Sequence, residues 1–207
     1  MKYNVLLLGS GGREHALAWG IAKSSKLEQL YIAPGNPGTE SLGKNVQLIT
    51  SDFNEIWEFI QSHAIHLTVV GPEQPLVDGL ADFLEEKCHA VFGPRKQAAM
   101  LEGSKEFAKD FMKRHDIPTA GYEVFSQDEF DRAAEYIIEK GSYPVVLKAD
   151  GLAGGKGVLI PENEADAISA LEELQEGSLS DAASRLVIEE FMEGEEASVF
   201  AICDGDS

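Results

Sequence analysis

Basic residues are scarce in this chain. Its 207 residues hold 17 Lys and Arg against 36 Asp and Glu, a formal net charge of −19. A polyanion is neutralised by clustered Lys and Arg, so a nucleic-acid interface is excluded as an expectation, and an anionic membrane surface would repel the chain. Cysteine is nearly absent: Cys88 and Cys203 stand far apart, without metal-ligand spacing. That rules out a disulfide framework and fits a reduced, cytoplasmic setting. Long apolar runs are missing too. Val5–Leu8 meets glycine at once, too short for a signal peptide or a membrane span. There is no internal repeat and no low-complexity tract.

What remains is an ordinary globular composition, 43% hydrophobic and 26% charged. The charge is uneven. Residues 1–100 carry 11 acids and 8 bases, and the rest carry 25 and 9. We therefore expect two modules, 1–102 and 103–207. The acidic second half is either a solvated surface or the partner of a metal–nucleotide complex.

The first hundred residues alternate strand and helix signals. Strands are expected at Val5–Leu8, Leu30–Ile32, Val46–Ile49, Leu67–Val70 and Ala90–Phe92. Between them, Arg13–Ser24 reads as a helix. Phe53, Ile56, Trp57 and Ile60 form a helical stripe behind a Ser/Asp cap, and Leu76, Leu80, Phe83 and Leu84 mark one more helix. This is an α/β pattern: an open parallel sheet with helices on both faces, Rossmann-like. Ligands of such sheets sit beyond the carboxyl ends of the strands. The loops expected there are GSGGREH, APGNPGT, VGPEQPL and FGPRKQ.

The second half reads as α+β. Ser104–His115 is expected to be a helix with Phe107, Ala108, Phe111 and Met112 inward. Ser126 and Glu129 form a capping box, and a strand, glycine loop and strand follow in YPVVLKADGLAGGKGVLI. Then come a helix over 162–176, a strand at RLVIEEF, and an alternating strand in EEASVFAIC that runs into the Asp204-Gly205 turn. That ending suggests a chain cut within a domain.

The GSGGREH turn raises a choice of ligand. A strand, a glycine turn and a helix N-terminus favour a phosphate. A nicotinamide dinucleotide needs G-x-G-x-x-G and an acidic residue at the second strand tip. Here Glu14 replaces the third glycine, and the second strand runs into APGNPGT without a carboxylate. A tight turn without ligand is the other alternative, and four small residues exceed what such a turn requires. GLAGGKG is not a Walker loop, since three residues separate Gly151 from Gly155 and Gly157 follows Lys156. Its strand-like flanks make it a hairpin tip able to fold N–H groups over a polyphosphate, with Lys148 supplying a point charge.

Together GSGGREHALAW, APGNPGT, VVGPEQPLVDG, FGP, LEGSKEFAKDFMKRHDIPTAGY, VLKADGLAGGKGV and VIEEFMEGEEASV resemble the glycinamide ribonucleotide synthetases (phosphoribosylamine–glycine ligases). These are purine-biosynthetic enzymes of the ATP-grasp architecture. The resemblance spans the chain in order. It implies an ATP-dependent ligase that joins glycine to 5-phosphoribosylamine through a glycyl phosphate. Gly9, Ser10, Gly11, Gly12 and Arg13 would hold the 5-phosphate, and Asn36, Gly38 and Glu73 would line the sugar. Lys105 and Lys148 would meet the ATP phosphates under a flap of Gly154, Gly155, Lys156 and Gly157. Glu189, Glu190 and Phe191 would form a hinge against adenine, and Glu196 would take the ribose hydroxyls.

The resemblance also implies Mg²⁺, or Mn²⁺, with ligands outside this chain, and a monomer or weak dimer acting on small molecules. Gly155 replaces the alanine of many relatives, which loosens the flap, and GSLSDAASR lacks their aromatic-glycine pair. The chain is expected to hold the phosphoribosylamine domain and the first part of the ATP-grasp domain, and not to turn over alone. The alternatives are another carboxylate–amine ligase of the same architecture, a nicotinamide oxidoreductase, and a nucleotide-binding regulatory module.

Overall fold

Four consecutive apolar residues, Val5–Leu8, are all buried in β1 (Tyr3–Gly9), so this strand is covered on both faces. The computed structural model describes residues 1–150, 157–175, 185–199 and 201. Two compact units emerge, Met1–Phe111 and Met112–Ser207.

In the first unit, β1, β2 (Leu27–Pro34), β3 (Lys44–Asn45), β4 (Leu67–Val70) and β5 (Ala90–Phe92) form one parallel sheet in the order β3-β2-β1-β4-β5. Strand alternation sends Leu6 and Leu8 to one face. There they meet α2 (Phe53–Ser62), α3 (Glu73–Asp78), α4 (Leu80–Glu86) and α5 (Lys96–Gly103) through Ile56, Ile60, Leu76, Leu80, Leu84 and Ala99. Val5 and Leu7 go to the other face, against Ala18, Leu17 and Ile21 of α1 (Gly12–Ala22). Each fully buried leucine contributes about 1.5–3 kcal/mol of hydrophobic stabilisation.

The register aligns Gly9 with Pro34, and Leu8 with both Ala33 and Val70. Three strand tips therefore end level at one edge. The order reverses between β1 and β4, where open sheets of this kind form their crevice.

β1, β2 and α1 differ from expectation only at their ends, and two other expected elements change in kind. β3 is paired over Lys44–Asn45, and Val46–Ile49 is irregular after the bond from Val46 N to Ile32 O, although Val46 and Leu48 still pack on the core. The expected single helix around Leu76–Leu84 is broken by Gly79, whose φ of +105° turns the chain between α3 and α4.

α6 (Lys105–Arg114) follows Ser104, whose Oγ accepts from Phe107 N at 3.1 Å. Phe107, Ala108, Phe111 and Met112 are only half-buried, and the residue of this helix that is buried is Lys109.

The second unit has an antiparallel sheet in the order β6-β9-β7-β8: β6 (Tyr122–Ser126), β7 (Val145–Ala149), β8 (Val158–Leu159) and β9 (Arg185–Glu190). Glu129 Oε2 accepts from Ser126 N and Oγ, the expected capping box, and α7 (Phe130–Lys140) stops at Gly141 with φ +55°. α8 (Glu164–Glu173) is capped by Asn163. α7 and α8 cover one sheet face through Ala133, Ile137, Ala167 and Leu171, packed on Leu147, Leu186 and Ile188. Of the strand expected over 195–203, residues 195–199 are exposed and irregular, and among the described residues no strand pairs with them; residues 200, 202 and 203 lie outside the described residues. Asp204-Gly205 lies outside the described residues.

Candidate functional site

The edge where β1, β2 and β4 end brings Gly9–Arg13, Asn36, Gly38 and Glu73 together within the first unit. Gly9 closes β1 with φ +123°, and Gly11 caps α1. Asn36 Nδ2 donates to Ser10 O at 2.9 Å, which clips the second loop onto the first. Its Oδ1 accepts from Gly38 N (2.8 Å) and Thr39 N (3.1 Å), a self-made turn at the start of that loop. Thr39, which is buried, and half-buried Asn45 brace it: Thr39 Oγ1 donates to Asn45 Oδ1 at 2.7 Å, and Asn45 Nδ2 donates to Asn36 O at 2.8 Å. Both ends of the Asn36 amide thus hold scaffold. A Cβ at Gly38 would lie 2.5 Å from His15 Cε1, so α1 and the second loop meet there as well.

Arg13 bridges loops. Its Nη1 donates to Glu73 Oε1 at 2.7 Å and its Nε to Glu14 Oε1 at 3.0 Å. The two carboxylates hold the guanidinium further above its ordinary value, Glu73 contributing first, and Arg13 in turn holds the Glu73 carboxyl below the usual carboxylate range. Arg13 and Glu73 are 56% and 38% exposed, so the pair is screened and contributes at most about 1 kcal/mol. Glu73 is depressed in the folded state, so the unfolded chain binds more protons through its titration. That stability is complete above the ordinary carboxylate pKa and disappears as pH falls through the lowered value. Urea denaturation of Glu73→Gln against wild type is therefore expected to show a small deficit at neutral pH that closes on acidification.

Sequence reasoning missed Glu14. It appeared as a failed third glycine, yet it is buried at the centre of the turn, with Oε2 accepting from Gly11 N at 2.7 Å. The available signal was the Gly11-x-x-Glu14 spacing, half of a capping box.

In the second unit, Lys148 and Glu189 occupy diagonal positions across β7 and β9, since Lys148 faces Val187 and Glu189 faces Val146. Lys148 Nζ donates to Glu189 Oε2 at 2.9 Å, the carboxylate buried and the ammonium partly exposed. Glu189 was expected at a hinge, and Lys148's pairing with it was not foreseen. Glu190 ends β9, Phe191 follows it 41% exposed, and Glu196 is exposed.

Gly157 is buried, and its carbonyl accepts from Ala149 N at 2.8 Å, closing the β7–β8 hairpin. Gly154, Gly155 and Lys156 lie outside the described residues, as do Leu179 and Ser180 of the GSLSDAASR stretch that lacks the aromatic-glycine pair. Lys105 is half-buried at the start of α6. A cavity of about 390 Å³ is lined by Tyr122, Tyr136, Lys140, Val145, Ile188 and Glu190. It adjoins α7 through Tyr136 and Ile137, and Glu189, the partner of Lys148, also lines it. Among the described residues no group of three His, Cys, Asp or Glu side chains is arranged to hold a metal ion. Nor is any described helix long and apolar enough to cross a membrane.

Comparison with known proteins matches this geometry to a family. Residues 3–102 match "Phosphoribosylglycinamide synthetase, N domain", and residues 103–207 match "Phosphoribosylglycinamide synthetase, ATP-grasp (A) domain". A phosphoribosylamine–glycine ligase of Mesorhizobium japonicum is 52% identical over 98% of this chain and 47% of its own length. The crystal structure of the Thermotoga maritima phosphoribosylamine–glycine ligase superposes with a TM-score of 0.71 at 37% identity, over 93% of this chain and 44% of that one. The biotin carboxylase domain of Hydrogenobacter thermophilus 2-oxoglutarate carboxylase, solved with MgADP, shares the fold at TM-score 0.68 and 20% identity, over 93% of this chain and 45% of that one. The chain spans about half the length of the curated relatives it matches. On its sequence, on both domain matches and on its fold, it belongs to the phosphoribosylglycinamide synthetase family.

Proposed function

We propose that this chain supplies the phosphoribosylamine-binding domain and part of the ATP-grasp domain of an ATP-dependent ligase joining glycine to 5-phosphoribosylamine. The observation that carries it is the convergence of the glycine turn, Arg13, Glu73 and the Asn36 loop at adjacent strand tips of a family member.

The chemistry is acyl transfer. A glycine carboxylate oxygen attacks the γ-phosphorus of ATP and ADP leaves, giving glycyl phosphate. The amine nitrogen of phosphoribosylamine attacks the carbonyl carbon, the C–O bond to phosphate breaks, and the amine loses a proton to leave an amide. Activation is required because a carboxylate is a poor electrophile. The protein's part is positioning and charge compensation.

In this scheme the turn Gly9–Arg13 seats the 5-phosphate. Because Glu14 already occupies Gly11 N, the donors for it are the N–H groups of Gly12 and Arg13 at the start of α1. Asn36 and Gly38 shape the sugar side, with Glu73. Lys148 meets ATP phosphates by exchanging its bond to Glu189. Lys105, the flap 154–157, the backbone of Glu189–Phe191 and Glu196 keep the ATP-binding roles that the family implies. The metal accompanying ATP is magnesium or manganese. The described residues offer it no ligand set. A cytoplasmic setting fits the composition, and a monomer or weak dimer is what the resemblance implies.

Titration calorimetry of the 207-residue chain tests this. Ribose 5-phosphate, a stable stand-in for the amine, is expected to bind, and NAD is expected neither to bind nor to compete. Absence of ribose 5-phosphate binding, or its displacement by NAD, overturns the proposal.

A further inference from the structure

We propose that Glu14 is a positioning residue of the sugar-phosphate site, holding Gly11 and the Arg13 guanidinium in the geometry that receives the anion. The inference rests on the functional reading above. Glu14 is 4% exposed, and both carboxylate oxygens are committed: Oε2 to Gly11 N (2.7 Å) and Oε1 to Arg13 Nε (3.0 Å).

The glycines around it make room for this side chain. A Cβ at Gly9 would lie 2.7 Å from Glu14 Cδ, one at Gly71 would lie 2.5 Å from Oε1, and one at Gly11 would lie 3.0 Å from Oε2. Gly12 differs, because a Cβ there meets nothing within 4 Å. Three glycines at this edge therefore serve a buried carboxylate, and in the first turn only Gly12 faces open space.

Arg13 is fixed from two sides. Glu14 takes Nε and Glu73 takes Nη1, which leaves Nη2 as the nitrogen without a described partner. A guanidinium is a rigid planar fork, so anchoring Nε sets the direction of the rest.

Charge and position predict opposite outcomes. Considered only as a negative charge, Glu14 repels a phosphate, and its removal tightens binding. As a positioning residue, its removal weakens binding.

The test titrates ribose 5-phosphate into the 207-residue chain and its variants, with circular dichroism to confirm folding. We expect Kd to rise about tenfold in Glu14→Gln, which can still accept from Gly11, and about a hundredfold in Glu14→Ala. In an Arg13→Ala background the Glu14→Gln loss is expected to shrink to about threefold or less, whereas a merely structural role would add in full. Should the Glu14 variants not fold, Arg13→Lys decides, because it keeps the charge on an exposed residue but lacks the fork. About tenfold weaker binding is expected, and wild-type binding overturns the proposal. So does unchanged or tighter binding in folded Glu14→Gln, or a fully additive cycle. Wild-type protein that binds no ribose 5-phosphate overturns the functional reading and this one together, while the variant outcomes overturn this one alone.

Discussion

Replacing Gly9 with alanine is expected to destabilise the first unit by about 2–6 kcal/mol. Two costs combine. Gly9 has φ +123°, a region nearly closed to residues with a Cβ, and forcing one there costs about 1–3 kcal/mol. The new methyl would also lie 2.7 Å from Glu14 Cδ and 2.9 Å from its Oε2, a carboxylate anchored at both ends, and such overpacking costs about 1–3 kcal/mol more. Domains of this size hold roughly 5–15 kcal/mol in total, so the variant approaches the limit of folding. Gly71→Ala separates the two costs. It meets the same carboxylate, with Oε1 at 2.5 Å, but without a positive φ. Urea denaturation is expected to show Gly71→Ala losing only the overlap part. Adding Glu14→Ala to Gly9→Ala should recover that part and leave the strain. Equal stability of Gly9→Ala and wild type would remove the premise that Glu14 fills this corner.

Lys148→Ala is expected to raise the Kd for ATP by roughly 10- to 150-fold, the loss of a charge-assisted phosphate contact of about 1.5–3 kcal/mol. The structure adds a complication: Lys148 Nζ is bonded at 2.9 Å to Glu189, which is 5% exposed. Removing the ammonium takes a partner from a buried carboxylate, which costs about 1–3 kcal/mol of stability. Binding and folding must therefore be measured separately. In Lys148→Ala with Glu189→Gln the buried charge is gone, so thermal stability is expected to recover while ATP affinity stays low. If folded Lys148→Ala binds ATP like wild type, Lys148 has no place at the phosphates.

The fold was legible where periodicity and punctuation agree. Leu67–Val70 and Ala90–Phe92 appear with the bounds expected of them, because short apolar runs between polar or glycine-bearing turns have few other solutions. The Ser126–Glu129 box and the Asp52 cap are local hydrogen bonds between near neighbours, so sequence spacing suffices to find them. Val46–Ile49 misled because its apolar residues pack on the core without joining the ladder, and burial alone does not distinguish the two. Gly79 was passed over inside a helical stripe because the stripe continues on both sides of it.

The site was legible as residue types and opaque as partnerships. GSGGREH carries the residue types that favour an anion, and its spacing argues against a dinucleotide. What its members bond to is decided by residues distant in the chain. Arg13 meets Glu73 sixty positions on, and Lys148 meets Glu189 forty-one positions on. Glu14 is buried because β4 brings Gly71 against it.

Taken by itself, the sequence determined the alternation of strands and helices, the acidic character, and the motifs that align it with its family. These are properties of neighbours along the chain and of residue chemistry. Only the tertiary structure decided that the glycines of the first turn surround a carboxylate, that Asn36 holds scaffold, and that Lys148 rests on Glu189. Each of those facts depends on which strand tips lie side by side, and strand order is set by packing both faces of the sheets, a long-range condition that no local window contains.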